Sequence, residues 1–349
     1  YTTIDDPSAY FQTLLYTGDG NDNRNLVNTG NSDLQPDWIW NKRRDNTSNH
    51  FIFDSSRGVS KIIVTDTNEA ESTNTNQLQA FQTDGFQLGS DNGSNGSSRT
   101  MVAWQWKANG GTTASNSDGS ITSTVQANTT AGFSIVTYNG EGDSQATVGH
   151  GLGVKPQVII PKNRGTTGNW HMYHEGVDSS APENYGLLLN AVNVRADDPG
   201  FYNDTAPTSS VFTVGTYNNF NNDYVAYCFA EKQGYSKFGS YTGNGSEDGP
   251  FVYTGFKPQW ILFKNTGAAE EWVLYDTKRD STNPNTKTIR VDSNIAEAEA
   301  TTLDIDFLSN GFKNRSNQAQ LNSSGVLYIY MAFAESPFVS SEGVPTTAR

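Results

Sequence analysis

A chain of 349 residues with 17% charged and 12% aromatic positions has the material for two or three packed domains and is too rich in rings to be disordered. Its formal charge of −14 excludes nucleic-acid binding through phosphate contacts, which needs a basic surface, and disfavours an anionic membrane surface. One cysteine, Cys228, excludes an intrachain disulfide and a multi-cysteine metal site, and no apolar run of ~18 residues is present to span a bilayer.

The first residues lack the basic and apolar regions of a signal peptide, and the missing initiating Met points to a trimmed start. Asp5-Asp6-Pro7 signals a turn, and residues 10–16 read as the first strand. The stretch Asp19-Gly20-Asn21-Asp22-Asn23 is similar to the start of a calcium loop. Arg24 and Gly30 stand where that loop needs glycine and glutamate, so an Asx-rich turn is expected. Residues 38–42, 50–54 and 62–64 read as strands. The polar stretch 68–80 leaves room for a short helix, and Asp84-Gly85-Phe86 fits a turn entering a strand. Residues 101–108 form a closing strand.

This text is then written twice more. The opening Tyr16-Thr17-Gly18-Asp19-Gly20 recurs as Tyr138-Asn139-Gly140-Glu141-Gly142 and Tyr241-Thr242-Gly243-Asn244-Gly245. Pro36-Asp37-Trp38-Ile39 recurs as Pro156-Gln157-Val158-Ile159 and Pro258-Gln259-Trp260-Ile261. From each proline to its closing strand is 65, 68 and 70 residues. Signals in one order at near-constant spacing imply three copies of one unit, each long enough to bury a core of its own. The expected fold class is all-β, with three tandem antiparallel β-sandwich domains over residues 1–108, 109–231 and 232–349. Residues 109–128 are expected to be a linker, flexible in its first half, with its second half forming the first strand of copy two.

Alternation in the closing strands shows which side is buried. Val102, Trp104 and Trp106 share one face, matched by Val225, Tyr227 and Phe229, then by Ile329, Met331 and Phe333. The opposite face carries mostly small residues, as in a central strand between two layers. Cys228 lies on this second face as a core thiol. Residues 336–349 add no unit of their own, yet carry Phe338, Val339 and Val344. A strap that docks on an adjacent domain or another subunit is expected, with Phe338 and Val339 as assembly candidates.

Chemistry is sparse. Among four histidines only His171 and His174 are near neighbours, and their odd spacing on a strand puts them on opposite faces, so no metal site is expected. There is no Gly-x-Ser-x-Gly elbow and no phosphate-binding glycine loop. Asp54 with Arg57 recurs as Asp276 with Arg279, while copy two has His174 and Val177. A pair at a strand end reads as a structural clasp on a turn. No catalytic residue and no cofactor is expected. The loops of copy two carry Tyr202, Tyr217 and Phe220 amid Asn and Asp, the composition of a sugar- or protein-contacting surface. The plainer alternative is that these rings pin their own loops.

The repeated signals resemble a family of repeat-containing structural proteins from tailed bacteriophages of marine bacteria. The residues that carry the resemblance are Tyr241-Thr242-Gly243, Pro258-Gln259-Trp260-Ile261, Lys264-Asn265, Asn310-Gly311-Phe312, Phe333-Ala334-Glu335 and the chain end from Ser336 to Pro345. Copy two departs from the pattern at Val158 and His174. The resemblance implies a jelly-roll or concanavalin-like sandwich and a non-enzymatic virion component, a tail fibre, appendage or capsid decoration, exposed on the particle surface. Implied partners are copies of itself or other virion proteins, without membrane insertion. The rival functions are a host-glycan-binding adhesin and a surface polysaccharide depolymerase.

Overall fold

Short apolar runs broken by Gly, Asn and Asp favour strands over helices, and the fold is all-β, built from antiparallel sheets. The computed structural model describes residues 2–143 and 145–345. Tyr1 and residues 346–349, the last part of the expected strap, lie outside the described residues.

The three repeats build their main sheets in one strand order. In repeat one the opening strand Phe11–Thr17 pairs with the closing strand Thr100–Trp106. That strand also pairs with the Pro-led strand Trp38–Arg43, and His50–Asp54, Lys61–Val64 and Ser72–Thr73 follow outward. Repeat three runs Ser236–Thr242, Leu327–Pro337, Phe256–Asn265, Val273–Asp276, Lys287–Arg290 and Ala298–Glu299 in the same order. Repeat two places Asp223–Phe229 between Phe133–Asn139 and Val158–Asn163. Across the small-residue face of each sheet lies a smaller one: Arg24–Leu26 with Gly85–Leu88 and Leu78–Gln82, Thr147–Gly149 with Val211–Thr213, and Phe251–Tyr253 with Gly311–Asn314 and Ile305–Leu308.

Two local expectations are corrected here. Residues 68–80 hold no helix; Ser72–Thr73 is a strand and the strand Leu78–Gln82 begins there. The half of the linker expected to be flexible holds a strand as well, because Ala114–Asn116 pairs with Ser123–Asn128, the strand of the second half, which pairs with Phe133–Asn139. The buried Asp37 carboxylate anchors its start by accepting from the backbone N–H groups of Ala108, Gly110 and Gly111 at 2.7–2.9 Å. The strand that leads into the opening signal of repeat two is therefore Phe133–Asn139, not residues 121–125.

Each repeat has a private core between its two sheets, but the large-residue face of its main sheet turns elsewhere. Trp38, Trp104, Trp106, Phe133, Tyr227, Phe229, Trp260, Met331 and Phe333 belong to one continuous core shared by all three repeats. Its rings meet across repeat boundaries. Trp38 lies 4.7 Å from Tyr227, Trp106 5.6 Å from Trp260, and Phe229 5.9 Å from Phe333, measured between centroids. Trp104 and Tyr227 are 0% exposed and Met331 4%, at equivalent places in the three sheets. Each unit thus buries a core of its own, and the inner faces of the main sheets are covered by one another.

Buried polar groups close this arrangement into a ring. Trp170 Nε1 of repeat two donates to the Val64 carbonyl of repeat one at 2.7 Å, and Trp272 Nε1 of repeat three donates to Leu188 of repeat two at 2.9 Å. The equivalent residue of repeat one, His50, accepts at Nδ1 from Trp40. Nε2 therefore carries the proton and donates to Arg290 of repeat three at 2.9 Å. Three lysines follow the same cycle: Lys42 donates to Asn294, Lys162 to Asn68 and Lys264 to Val192, each on the neighbouring repeat. Burial lowers all three ammonium groups to about 8. Hydrogen bonds from charged donors are worth about 1.5–3 kcal/mol, so each helps offset the desolvation of its own lysine.

Candidate functional site

The residue types that most resemble a reactive site are Asp54, Arg57 and their counterparts, and their geometry assigns them to the ring. Arg57 Nε binds Asp54 within one turn, and both side chains are 0% exposed. Asp54 Oδ2 also accepts from Tyr227 Oη of repeat two at 2.6 Å. The second guanidinium edge reaches Glu71 at 3.0 Å, and Arg164 of repeat two binds the same carboxylate at 2.8 Å. Burial works against the charge of Glu71, but Arg164 and Arg57 hold its carboxyl below the usual range. Between repeats three and one the relay is repeated: Trp104 Nε1 donates to Asp276 at 3.0 Å, and Arg279 and Arg44 share Glu297.

The junction between repeats two and three uses another solution. Where Tyr227 and Trp104 supply a donor, repeat three has Met331, which has none. Opposite Met331 stands neutral His174 in place of the aspartate. His174 Nδ1 accepts from Gly176 N–H at 3.0 Å and Nε2 donates to the Tyr330 carbonyl at 3.1 Å. Burial lowers it to about 4. Val177 replaces the arginine, and Arg195, at the place of Glu71 and Glu297, turns back to Asp178 and lies over the Tyr185 ring. The buried Asp–Arg pair and the neutral donor that faces it are replaced together, which is how a buried site avoids an unpaired ion.

The recurring motifs are equally structural. In the opening signal a Cβ on Gly18 would meet the Gly96 carbonyl oxygen at 2.1 Å, and Gly140 and Gly243 are in the same position against Phe220 and Ser323. Buried Asn95, Asn219 and Asn322 accept the backbone N–H of Asp19, Glu141 and Asn244 beside them. Asn163 and Asn265 of the Lys-Asn pairs, and Asn41 on the other side of Lys42, donate to tyrosine hydroxyls within their own repeats. Asp19 Oδ1 accepts from Asn21 N–H at 2.9 Å, an Asx turn as expected. No group of three or more His, Cys, Asp or Glu is placed to hold a metal ion among the described residues.

The loop aromatics of repeat two divide. Tyr202 is 2% exposed, with its hydroxyl on the Ile159 carbonyl and its ring edge-on to Tyr173. It is a core residue and corrects the expectation of a surface ring. Tyr217 is 38% exposed but stacks on His171 and donates to Asp198 at 2.7 Å. Gly200 makes room for it, since a Cβ there would lie 2.6 Å from the Tyr217 ring. Phe220, 55% exposed, stays at the surface. His171 Nδ1 meets Asn218 Oδ1 at 2.7 Å, and burial lowers it to about 4, so it serves as a neutral support for Tyr217.

The chain end continues the closing strand. Pro337 lies opposite Phe256, Phe338 N–H donates to the Gly255 carbonyl at 3.2 Å, and Ser341 binds Asp5 near the other end of the chain. Phe338 and Val339 are half-buried and line a cavity of about 460 Å³ with Thr2, Lys237 and Tyr253. Sequence reasoning overlooked Phe251 and Tyr253, which are 48% and 58% exposed. Aligning the copies gives the missing signal, because the same places hold Asn25 and Val27, then Thr147 and Gly149. Among the described residues no helix is long and apolar enough to cross a membrane.

The family model described as a domain of unknown function, DUF7483, matches residues 6–337, and the chain belongs to that family. No curated protein and no solved structure matches.

Proposed function

For this member of the DUF7483 family we propose a non-enzymatic structural role as a bacteriophage virion component, a fibre or appendage subunit or a capsid decoration exposed on the particle surface. The observation that carries the reading is the ring. Buried Asp, Arg, Lys and His side chains, the groups an enzyme would use for chemistry, are here spent on joining repeats. Such a body resists deformation while its acidic, polar loops face solvent, which suits display on an assembly. The resemblance of the repeat signals to those of phage structural proteins supports the same role.

A jelly-roll or concanavalin-like form for each unit belongs to the proposal, supported by a large sheet facing a smaller one across a private core. So does association with copies of itself or other virion proteins through Phe338 and Val339. An electron-microscopy map of an intact particle tests the role: density for a three-lobed body on the outside is expected. Absence of the chain from purified particles by mass spectrometry would overturn it. For the chain end, deleting residues 338–349 is expected to lower the assembled mass, and an unchanged mass would remove that part.

A further inference from the structure

The three repeats serve as controls for one another, and one place breaks their equivalence without serving the ring. The strands Arg24–Leu26, Thr147–Gly149 and Phe251–Tyr253 occupy the same position in the small sheets. Each sets one apolar residue opposite a phenylalanine: Leu26 opposite Phe86, Val148 opposite Phe212 and Val252 opposite Phe312. Those inward residues are buried in all three. The residues on either side point outward by strand alternation. Only repeat three fills both outward places with aromatic rings, and the private core takes nothing from them.

Tyr253 forms a wall of the 460 Å³ cavity beside Glu231, Gln233 and Lys237. Its ring lies beside Gly255, whose φ of +85° is a conformation that glycine adopts without strain, and a Cβ built there would be in ordinary contact with the ring at 3.8 Å. The polar groups are held in place. Lys237 Nζ donates to Glu231 Oε2 at 3.0 Å, and Glu231 Oε1 accepts from Phe238 N–H at 2.8 Å. Lys237 keeps further N–H donors and Glu231 further lone pairs for a ligand. The pair offers donors and acceptors with no net charge, which fits a neutral ligand better than an anion or a cation.

We infer that this cavity binds a neutral saccharide, with the apolar face of a sugar ring on Tyr253 and its hydroxyls at Glu231 and Lys237. A pyranose has that two-sided character, C–H groups on its faces and hydroxyls at its rim, and an aromatic wall beside fixed polar groups matches it. Phe251 extends the aromatic surface by one strand repeat, about 7 Å. An oligosaccharide is therefore favoured over a single sugar. The inference does not depend on the particle role, since a site of this kind works on any exposed body.

The test is an array of neutral and sialylated oligosaccharides probed with the full chain, followed by calorimetric titration with the best neutral binder. Saturable binding to neutral oligosaccharides is expected. Tyr253→Ala should weaken it roughly tenfold, the loss of one ring contact, and Glu231→Gln should weaken it too. Tyr217→Ala should bind as the parent does, and melting temperatures should confirm that all variants fold. Binding to no glycan, binding to sialylated glycans alone, or full affinity in Tyr253→Ala would overturn the inference. So would loss of self-association in Tyr253→Ala without any glycan binding, which would make the surface a protein contact. Particle localisation is read separately and fails or succeeds on its own.

Discussion

Replacing Arg57 by Met tests whether the relay between repeats one and two works as described. The substitution keeps most of the volume and removes three bonds, to Asp54, to Glu71 and to the Ile52 carbonyl. Glu71 retains Arg164. Asp54 is left as a carboxylate with no exposed surface, supported only by the residue-57 N–H at 2.8 Å and Tyr227 Oη at 2.6 Å. Breaking one partner of such a buried pair costs about 3–5 kcal/mol, against a total stability of roughly 5–15 kcal/mol for a folded domain. Urea unfolding followed by tryptophan fluorescence at pH 7 should show a large drop in midpoint. The triple variant Asp54→His, Arg57→Val, Tyr227→Met rewrites this junction in the terms of the junction between repeats two and three. It should be more stable than Arg57→Met alone, because no buried charge is stranded. A loss below about 1 kcal/mol in the single variant, the size of a surface pair, or a triple variant less stable than the single one, would refute the reasoning.

Trp104→Ala should cost about 3–5 kcal/mol as a cavity in the shared core, and more than Met331→Ala, because Asp276 also loses its indole donor; thermal unfolding compares the two. Acid should destabilise the protein through its buried histidines, while Asp66 and Asp292, raised to about 6 by burial, act in the opposite sense. His171 and His174 are lowered to about 4 in the fold against about 6.5 when unfolded. At these two histidines the unfolded chain therefore binds protons first, and their contribution to stability falls as pH drops from about 6.5 through 4. The slope in that window should flatten in His174→Gln, measured by melting temperature against pH. The buried lysines act in the same sense at higher pH: the unfolded chain keeps protons that the fold releases above about 8, so their burial costs less as pH rises from 8 toward 10. Finally, a strong chelator should leave the melting temperature unchanged, and a drop of many degrees would point to a structural metal.

Alternation made the closing strands legible, because period two reveals that a face is buried. It does not reveal what buries it. Val102, Trp104 and Trp106 are covered by repeats whose residues lie more than a hundred positions away, so a core shared among units looked the same as three separate ones. Asp54 with Arg57 was recognised as a clasp from its place after a strand, while Tyr227 and Arg164 were invisible as its partners. A joint reading could have found them, since Asp, His and Asp at one position go with Tyr, Met and Trp at another. The polar run after Ala108 looked flexible because its organiser, Asp37, lies far back in the chain. Tyr202 looked exposed because its sequence neighbours are polar. Of the surface rings, Phe251 and Tyr253 were hidden in a run that reads as an ordinary strand until the three copies are compared place by place.

The shared core also sets the order in which the chain can mature on the ribosome. As synthesis proceeds from the first repeat, the inner faces bearing Trp38, Trp40, Trp104 and Trp106 are complete long before the Trp260 and Phe333 side chains that finish covering them. At about 5–20 residues per second, the last repeat arrives roughly ten seconds after the second. During that interval a nascent chain carries a broad tryptophan-rich surface, and Lys42 lacks its Asn294 partner. Protection by a chaperone, or by another nascent chain of the same sequence, is most needed then, and truncated products that end before repeat three will be the aggregating species.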